Sequence, residues 1–429
     1  MKKLFFGGIH PNSKKELSLN NIDVQAIAPE KVVMSLRQHI GVECKPLVKE
    51  GDYVLVGQKI ADGEGMCVPV HSSVSGTVVK IEPHISCKND KVMSIIIEND
   101  FQNKEYTYEV NKDEDLVDLV REKGIIGMGG AAFPTYIKKA SALSKVDTVI
   151  ANGCECEPYI TSDDVLMRTR AEEVLQGILV VGNYLKPKRL VLAIEDNKVE
   201  AIAKLQSLKE KYSDIEIKVL PTRYPQGAEK QLIQAVTGRE VPAGGLPVDV
   251  NCVVFNVATY AAINAAVKIG KPLTERLVTV SGEGVNNPQN FLVKIGTPVE
   301  DLIKAAGGLK EGATRIINGG PMMGSAFSDL TAPVTKATNS ILCLEGEIEE
   351  HFSKCIRCGK CLSVCPMKLQ PLYLYKFAKA EKYMKLDKLN LFDCMTCGSC
   401  SFVCPAKLPL AETFRDAKPV LKEVKAKCN

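Results

Sequence analysis

Tryptophan is absent from the 429 residues, phenylalanine and tyrosine number 12 each, and no basic block precedes the last dozen positions. Lysine and arginine total 55 against 51 aspartate and glutamate, a net charge of +4. A nucleic-acid partner would need a basic stripe or a set of stacking aromatics, so nucleic acid is excluded. Long apolar runs are missing as well. A membrane helix needs roughly 20 consecutive apolar residues, and the best stretch, "CVVFNVATYAAINAAV" at 252–267, is broken by Asn256, Thr259 and Asn264. It reads as a strand running into a buried helix. The start, "MKKLFFGGIHPNSKK", has three apolar residues before Gly7 and Gly8, short of the roughly 7–15 of a secretory signal core. The chain is therefore expected to stay in the cytoplasm.

Cysteine, by contrast, is plentiful at 16 residues. In a reducing compartment that number points to metal or redox chemistry rather than disulfides. Two runs, "CIRCGKCLSVCP" at 355–366 and "CMTCGSCSFVCP" at 394–405, both fit C-x2-C-x2-C-x3-C-P. A structural zinc site needs only paired C-x2-C units. Three cysteines at successive spacings of three wrap one iron–sulfur cubane, and the fourth, before proline, reaches the partner cluster. Cluster one is expected on Cys355, Cys358, Cys361 and Cys404, and cluster two on Cys394, Cys397, Cys400 and Cys365. The intervening "LQPLYLYKFAKAEKYMKLDKLNLF" reads as helical, giving a two-[4Fe-4S] ferredoxin-like domain with a helical insert over 345–412.

The length predicts two to four domains. Within 39–82, glycine-punctuated short strands fall into two similar halves, "VKEGDYVLVGQKI" and "VHSSVSGTVVKI". The pattern resembles a biotinyl/lipoyl-type barrel-sandwich, assigned with the N-terminal segment to 1–112. No lysine stands on the connecting stretch "GEGMCVPVHSSV", so docking or support is expected rather than a carrier role. Residues 113–272 alternate strand and helix. "VDTVIANG", "RLVLAIED", "IEIKVLPT" and "VNCVVFNV" are apolar runs of strand length, and "AEEVLQGILVVGNYL" puts Val174, Leu175, Ile178 and Leu179 on one helical face. A Rossmann-like parallel sheet with helices on both faces follows. Residues 273–330, with "RLVTVSGEGV", "NFLVKIGTPV", "VEDLIKAAGG" and "RIINGGPMMG", resemble a β-grasp module of the soluble ligand-binding type. The fold class is thus multidomain α/β.

Loops on one side of a parallel sheet converge on a binding crevice. Here the candidates are "GIIGMGGAAFPTYIKKA" (124–140), whose glycines permit close backbone approach before a helix N-terminus suited to phosphate, then "NGCECEPY" (152–159), "RYPQGAEK" (223–230) and "FNVAT" (255–259). The Cys154-x-Cys156 pair has no further ligand in the sequence and is read as pocket lining.

"GMGGAAFPT", "NGCECEPY", "YPQGAEKQLIQAVTG" and "NVAT" are similar, in that order, to the flavin- and NADH-binding segments of the large flavoprotein subunit of respiratory complex I. Cys154 and Ala258 stand where that family usually has acidic residues. The whole order of sandwich, flavoprotein domain, β-grasp and tandem cysteine motifs resembles the RnfC family, the electron-input subunits of the Rnf complex, an ion-pumping NADH:ferredoxin oxidoreductase. "GGIHP", "QHIGVECKPLVKEGD", "EKQLIQAVTGREVPAGGLP" and "INGGPMMG" extend the match over nearly the whole chain.

The resemblance implies that Gly127, Gly129, Gly130 and Lys138 line FMN and its phosphate. It places Asn152, Glu155 and Glu157 near the flavin ring and nicotinamide, Gly227 and Glu229 on the pocket border, and Asn256 and Thr259 at the phosphate end, with Phe133 stacking on a dinucleotide ring. NADH gives two electrons as a hydride and each cubane takes one, so the flavin is the converter and no general base is required. The implied role is a peripheral electron-input subunit on the cytoplasmic face of the membrane. It would be held there by partners rather than by a span of its own, and would pass electrons to an iron–sulfur subunit that serves ferredoxin. Two rival readings are a soluble NADH-dependent relative serving a dedicated reductase, and an electron-transfer module without NADH activity.

Overall fold

β-Branched residues crowd "KVVMS" and "KVMSIIIEN", and both stretches form strands, as β propensity on a half-buried surface predicts. The computed structural model describes residues 5–20, 22–108, 114–136, 145–346 and 352–428. Lys138 lies outside them. In the N-terminal region Lys31–Ser35, Lys91–Asn99, Gly76–Ile85 and Tyr53–Val54 form a four-stranded antiparallel sheet, and Lys45–Pro46, Lys59–Asp62 and Val70–His71 form a three-stranded one. The two share a core that includes Val32, Met34, Ile60, Val70, Val78 and Ile97, which is the barrel-sandwich read from the sequence. The lysine-free connection sends Cys67 and Val68 fully into that core.

The four apolar runs of the second region become Thr148–Gly153, Arg189–Glu195, Ile215–Leu220 and Cys252–Asn256. All pair in parallel, in the spatial order third, second, first, fourth. Because strand side chains alternate between faces, Val149, Ala151, Leu192, Ile194 and Val253 point into one core, and Ile150, Val191, Ala193, Cys252 and Val254 into the other. The first face is covered by the helices Ala171–Leu185, Val199–Ser207 and Val257–Ile269, the second by Glu229–Thr237. Val174, Leu175 and Ile178 are buried as the helical period requires, with Leu179 half-buried beside them.

The third region is a six-stranded mixed sheet in the order Gln25–Ile27, Gln289–Lys294, Glu275–Ser281, Ser340–Glu345, Ala313–Asn318, Ser325–Phe327. The helix Val299–Ala305 packs on it through Val299, Leu302 and Ile303. Two of its strands come from outside the 273–330 span. Ser340–Glu345, an apolar run, enters between two of the expected strands, and Gln25–Ile27 closes the edge beyond Gln289–Lys294. Sheet edges left unpaired invite further pairing, and chain segments distant in sequence supply it here. The C-terminal region is helical, with Leu374, Leu386, Leu391, Phe414 and Leu421 as its core.

Residues 5–19 strap these units together. Gly8 N–H donates to Val364 O at 2.8 Å, Ile9 and Tyr224 exchange backbone hydrogen bonds of 2.8 and 2.9 Å, and Tyr159 N–H donates to Ser13 O at 2.8 Å.

A tight helix contact in the second region lies at Gly177, where a Cβ would stand 2.0 Å from Tyr260 O. Gly177→Ala is expected to force Ala171–Leu185 away from Val257–Ile269 and to destabilise this region by about 1–3 kcal/mol. Urea unfolding followed by circular dichroism measures the shift.

Candidate functional site

Parallel strands end together, so whatever follows each strand gathers at one edge of the sheet. Thr148–Gly153 and Cys252–Asn256 bring Asn152 and Asn256 into register as direct partners. Asn256 caps the helix Val257–Ile269, accepting from Ala258 N–H at 2.8 Å, and its amide donates to Asp163 at 2.6 Å. One turn on, the buried Thr259 hydroxyl accepts from Met128 N–H at 3.0 Å. The glycine loop therefore lies across that helix N-terminus. Gly127 N–H donates to the carbonyl of half-buried Phe133 at 2.8 Å to close the loop, and Gly129 and Gly130 are exposed on its outside. On the other side Asn152 donates to Gly227 O at 2.8 Å. Gly227 admits no side chain, since a Cβ there would stand 2.1 Å from Cys154 O. Glu229, partly buried, begins the helix Glu229–Thr237.

The two glutamates of "NGCECEPY" face different company. Glu155, 7% exposed, accepts from Asp163 N–H at 2.8 Å and Ser162 Oγ at 3.4 Å, and pairs with Lys198 at 3.1 Å and Lys15 at 3.8 Å. It is tied inward. Burial, then the neighbouring Lys198, lowers the Lys15 pKa to about 8. For Lys198 burial opposes the charge, but Glu155, Asp164 and Glu195 together outweigh it and raise its pKa. Asp163 is pushed up to about 7 by burial and then by Glu155. Glu157 accepts from Met322 N–H at 3.1 Å and is pushed up to about 7, chiefly by burial. Glu157 Oε1, Glu195 Oε2 and both side-chain polar atoms of fully buried Gln226 have no hydrogen-bond partner among the described residues.

Lys15, Asp163, Glu195, Lys198 and Tyr224 escaped the sequence reading. Glu195 and Lys198 were within reach, because "RLVLAIED" is a strand of the same parallel sheet and its end must join the same edge. Nothing near Lys15 in the sequence marks it, since its partners are brought in by the strap.

The tandem motifs fold into two cysteine-lined cavities. One is lined by Cys365, Cys394, Cys397 and Cys400; the other by Cys355, Cys358, Cys361 and Cys404. Each motif thus sends its fourth cysteine across to the other's three. Four converging thiols suit a cubane. The two cavities differ in setting. Cys365, Cys397 and Cys400 are buried, and the Tyr224 hydroxyl donates to Cys397 O at 2.6 Å, while Met322 lies against both Glu157 and the backbone at Gly398. Cys355 and Cys358 are exposed, as are neighbouring Phe352 and Ile356.

Comparison with known proteins agrees with this layout. Residues 3–102 match the RnfC barrel sandwich hybrid domain, 120–265 the Nuo51 FMN-binding domain, 277–326 the SLBB domain and 347–416 a 4Fe-4S dicluster domain. The chain is 41% identical to the C subunit of the Na(+)-translocating ferredoxin:NAD(+) oxidoreductase complex of Acetobacterium woodii, over 91% of this chain and 90% of that one. It is 40% identical to the C subunit of the proton-translocating ferredoxin:NAD(+) oxidoreductase complex of Clostridium ljungdahlii, over 92% and 88%. The C subunit of the ion-translocating oxidoreductase complex of Actinobacillus succinogenes is 41% identical, but this chain spans only 62% of it. An NAD+-reducing [NiFe]-hydrogenase shares the fold over 72% of this chain and 61% of that one, with TM-score 0.51 at 17% identity.

Glu157 imposes a pH dependence. Its folded-state pKa of about 7 lies above the ordinary 4.5, so the native state holds the proton more tightly. That contribution is complete below pH 4.5 and is lost as pH rises toward 7. At about 1.4 kcal/mol per unit the loss is about 3 kcal/mol. Glu157→Gln should remove this fall, so urea titrations of the flavin-free chain at pH 5 and pH 8 should differ less than those of the parent by about that amount.

Proposed function

The chain belongs to the RnfC family, the C subunits of ion-translocating ferredoxin:NAD(+) oxidoreductase complexes, and we propose on that premise that it oxidises NADH and feeds electrons into such a complex. It is an oxidoreductase with FMN and two [4Fe-4S] clusters as cofactors. The observation that carries the reading is the junction at Tyr224. This residue belongs to a strand-end loop of the flavoprotein sheet, and its hydroxyl donates to the carbonyl of Cys397, so the inner cysteine cavity rests on the flavin-site loops.

Bound FMN would supply the conversion of a hydride pair into single electrons, which one-electron clusters then accept. The chain's own part is positioning. The exposed glycine loop over the N-terminus of Val257–Ile269 offers backbone N–H groups and a positive helix end to a phosphate, with Asn256 and Thr259 fixing that end. Gly227, packed without a side chain against Cys154 O, lets the loop after the third strand close down on the one that carries Glu155 and Glu157. The unpartnered atoms of Glu157, Glu195 and Gln226 suit a polar ligand at the same edge. Glu155 works indirectly: it anchors its loop through Lys15 and Lys198 instead of reaching out to a ligand. Cys365, Cys394, Cys397 and Cys400 would hold the cluster next to the flavin loops. Cys355, Cys358, Cys361 and Cys404 would hold the one that meets a partner.

We read the parallel sheet as Rossmann-like and the mixed sheet as a β-grasp module, extended by the strands at 25–27 and 340–345. The partner is read as an iron–sulfur subunit of the same complex, at the cytoplasmic face of the membrane. No helix among the described residues is long and apolar enough to cross a membrane.

NADH added anaerobically to the reconstituted chain should bleach both the flavin band and the broad iron–sulfur absorbance. Cys404→Ser should halve the iron content, leave flavin bleaching by NADH intact and abolish electron delivery to an external one-electron acceptor. Clusters that bleach with dithionite but not with NADH would overturn the dehydrogenase reading.

A further inference from the structure

The barrel-sandwich buries a set of soft donors that flavin and cluster chemistry leave unused. Cys44 and Cys67, 3% and 0% exposed, bring their Sγ atoms to 3.0 Å. His39 is 6% exposed, and one of its ring nitrogens and the two sulfurs all lie within 4.8 Å of one another. The tautomer follows from its neighbours. Nδ1 sits 3.2 Å from Ile40 O, which can only accept, so Nδ1 carries the proton. Nε2 accepts from Val68 N–H at 3.0 Å, so its lone pair faces the backbone beside Cys67. The ring is neutral, and a proton on Nδ1 held by a backbone carbonyl is the usual arrangement of a histidine that ligates through Nε2.

Two buried sulfurs this close can close into a disulfide or, by moving apart to the roughly 3.8 Å that tetrahedral coordination sets, share a metal ion. A disulfide would leave His39 idle and would need an electron acceptor to reach sulfurs sealed from solvent. A metal ion uses all three donors and needs no redox partner. We propose that His39, Cys44 and Cys67 form a binding site for zinc(II) within the barrel-sandwich. Two thiolates and one imidazole are a common zinc donor set. The step balances without oxidation: zinc(II) displaces one proton from each thiol, two Zn–S bonds and one Zn–N bond form, and two protons leave to solvent. The dication and two thiolates cancel, so no net charge is buried. Ligation would require Nε2 to exchange its hydrogen bond from Val68 N–H for the ion, and Val68 O, 3.2 Å from Cys44 Sγ, stands at the edge of the site for a fourth contact.

The location gives such an ion something to hold. The segments it would join, 39–44 and 67, flank those that grip the glycine loop. Ile40 N–H donates to Ala132 O at 3.0 Å, the Tyr136 hydroxyl to Gly65 O at 3.0 Å, and Arg121 to Gly63 O at 3.0 Å and Asp62 at 2.8 Å. Buried Lys336 adds bonds of 2.6 Å to Pro69 O and 2.8 Å to Gly124 O. The ion would therefore staple the sandwich beneath residues 121–136.

The test uses the whole chain, purified anaerobically from zinc-supplemented cells and desalted. Elemental analysis should find about one zinc per chain in addition to iron, and zinc-edge X-ray absorption should show two sulfurs at about 2.3 Å with nitrogen at about 2.0–2.1 Å. Cys67→Ser and His39→Gln should lower zinc to less than roughly a tenth of an equivalent while iron and FMN contents hold. The absorption spectrum of the unmutated chain decides the matter even if a variant fails to fold. Zinc absent from that chain, a four-sulfur shell marking zinc strayed into the cluster cavities, zinc unchanged in both variants, or a mapped Cys44–Cys67 disulfide would each overturn the site.

Discussion

The Glu155 carboxylate, almost removed from water between the Lys15 and Lys198 ammonium groups, holds the working edge of the parallel sheet together. It joins the end of one strand, the start of the helix Ser162–Thr169, the loop after a second strand and the N-terminal strap. An ion pair buried this deeply adds little net stability compared with an apolar packing of the same volume, yet losing one partner strands the others at a cost of about 3–5 kcal/mol. Such a knot enforces one arrangement. Loops that must meet a flat cofactor with little tolerance are placed by it, and the strap is held by the same charges.

From that strap the arrangement carries on into the iron–sulfur domain. Gly8 binds the backbone of Val364, the neighbour of Cys365, and Ile9 pairs with Tyr224, whose hydroxyl reaches Cys397. Single-electron transfer needs proximity more than chemistry, and these contacts press one cysteine cavity onto the flavin loops. The other cavity stays at the surface, with Cys355, Cys358, Phe352 and Ile356 exposed. A protected inner side and an open outer side are what a chain needs if it takes electrons from a small molecule and gives them to a protein. Glu157, sitting between Met322 and Tyr224 with its pKa pushed up to about 7 chiefly by burial, lies at the same junction.

The barrel-sandwich contributes through support. Its strands end in carbonyls and side chains that grip residues 121–136 from beneath, and the glycine loop is presented from that platform. The buried His39, Cys44 and Cys67 lie under this grip, where a local crosslink would stiffen it most.

Much of this was legible in residue order. The spacing of three between cysteines, with proline after the fourth, pointed to the two sets of four cysteines that the fold brings together, each motif sending its fourth across to the other. Apolar runs of strand length located all four parallel strands, and the period of 3.6 located the buried face of Ala171–Leu185. Glycine, Asn256 and Thr259 marked the loop and helix N-terminus that meet at one edge of the sheet, because backbone approach and helix capping are also local. What had no local signature was decided by tertiary structure alone. Gln25–Ile27 and Ser340–Glu345 joined a sheet whose other strands lie far away in sequence, since only the folded sheet shows which edges need pairing. Glu155 is tied between Lys15 and Lys198, which arrive from two distant segments. Buried charge and soft donors acquire meaning from their partners, and those partners are chosen by the path of the chain, which residue spacing does not record.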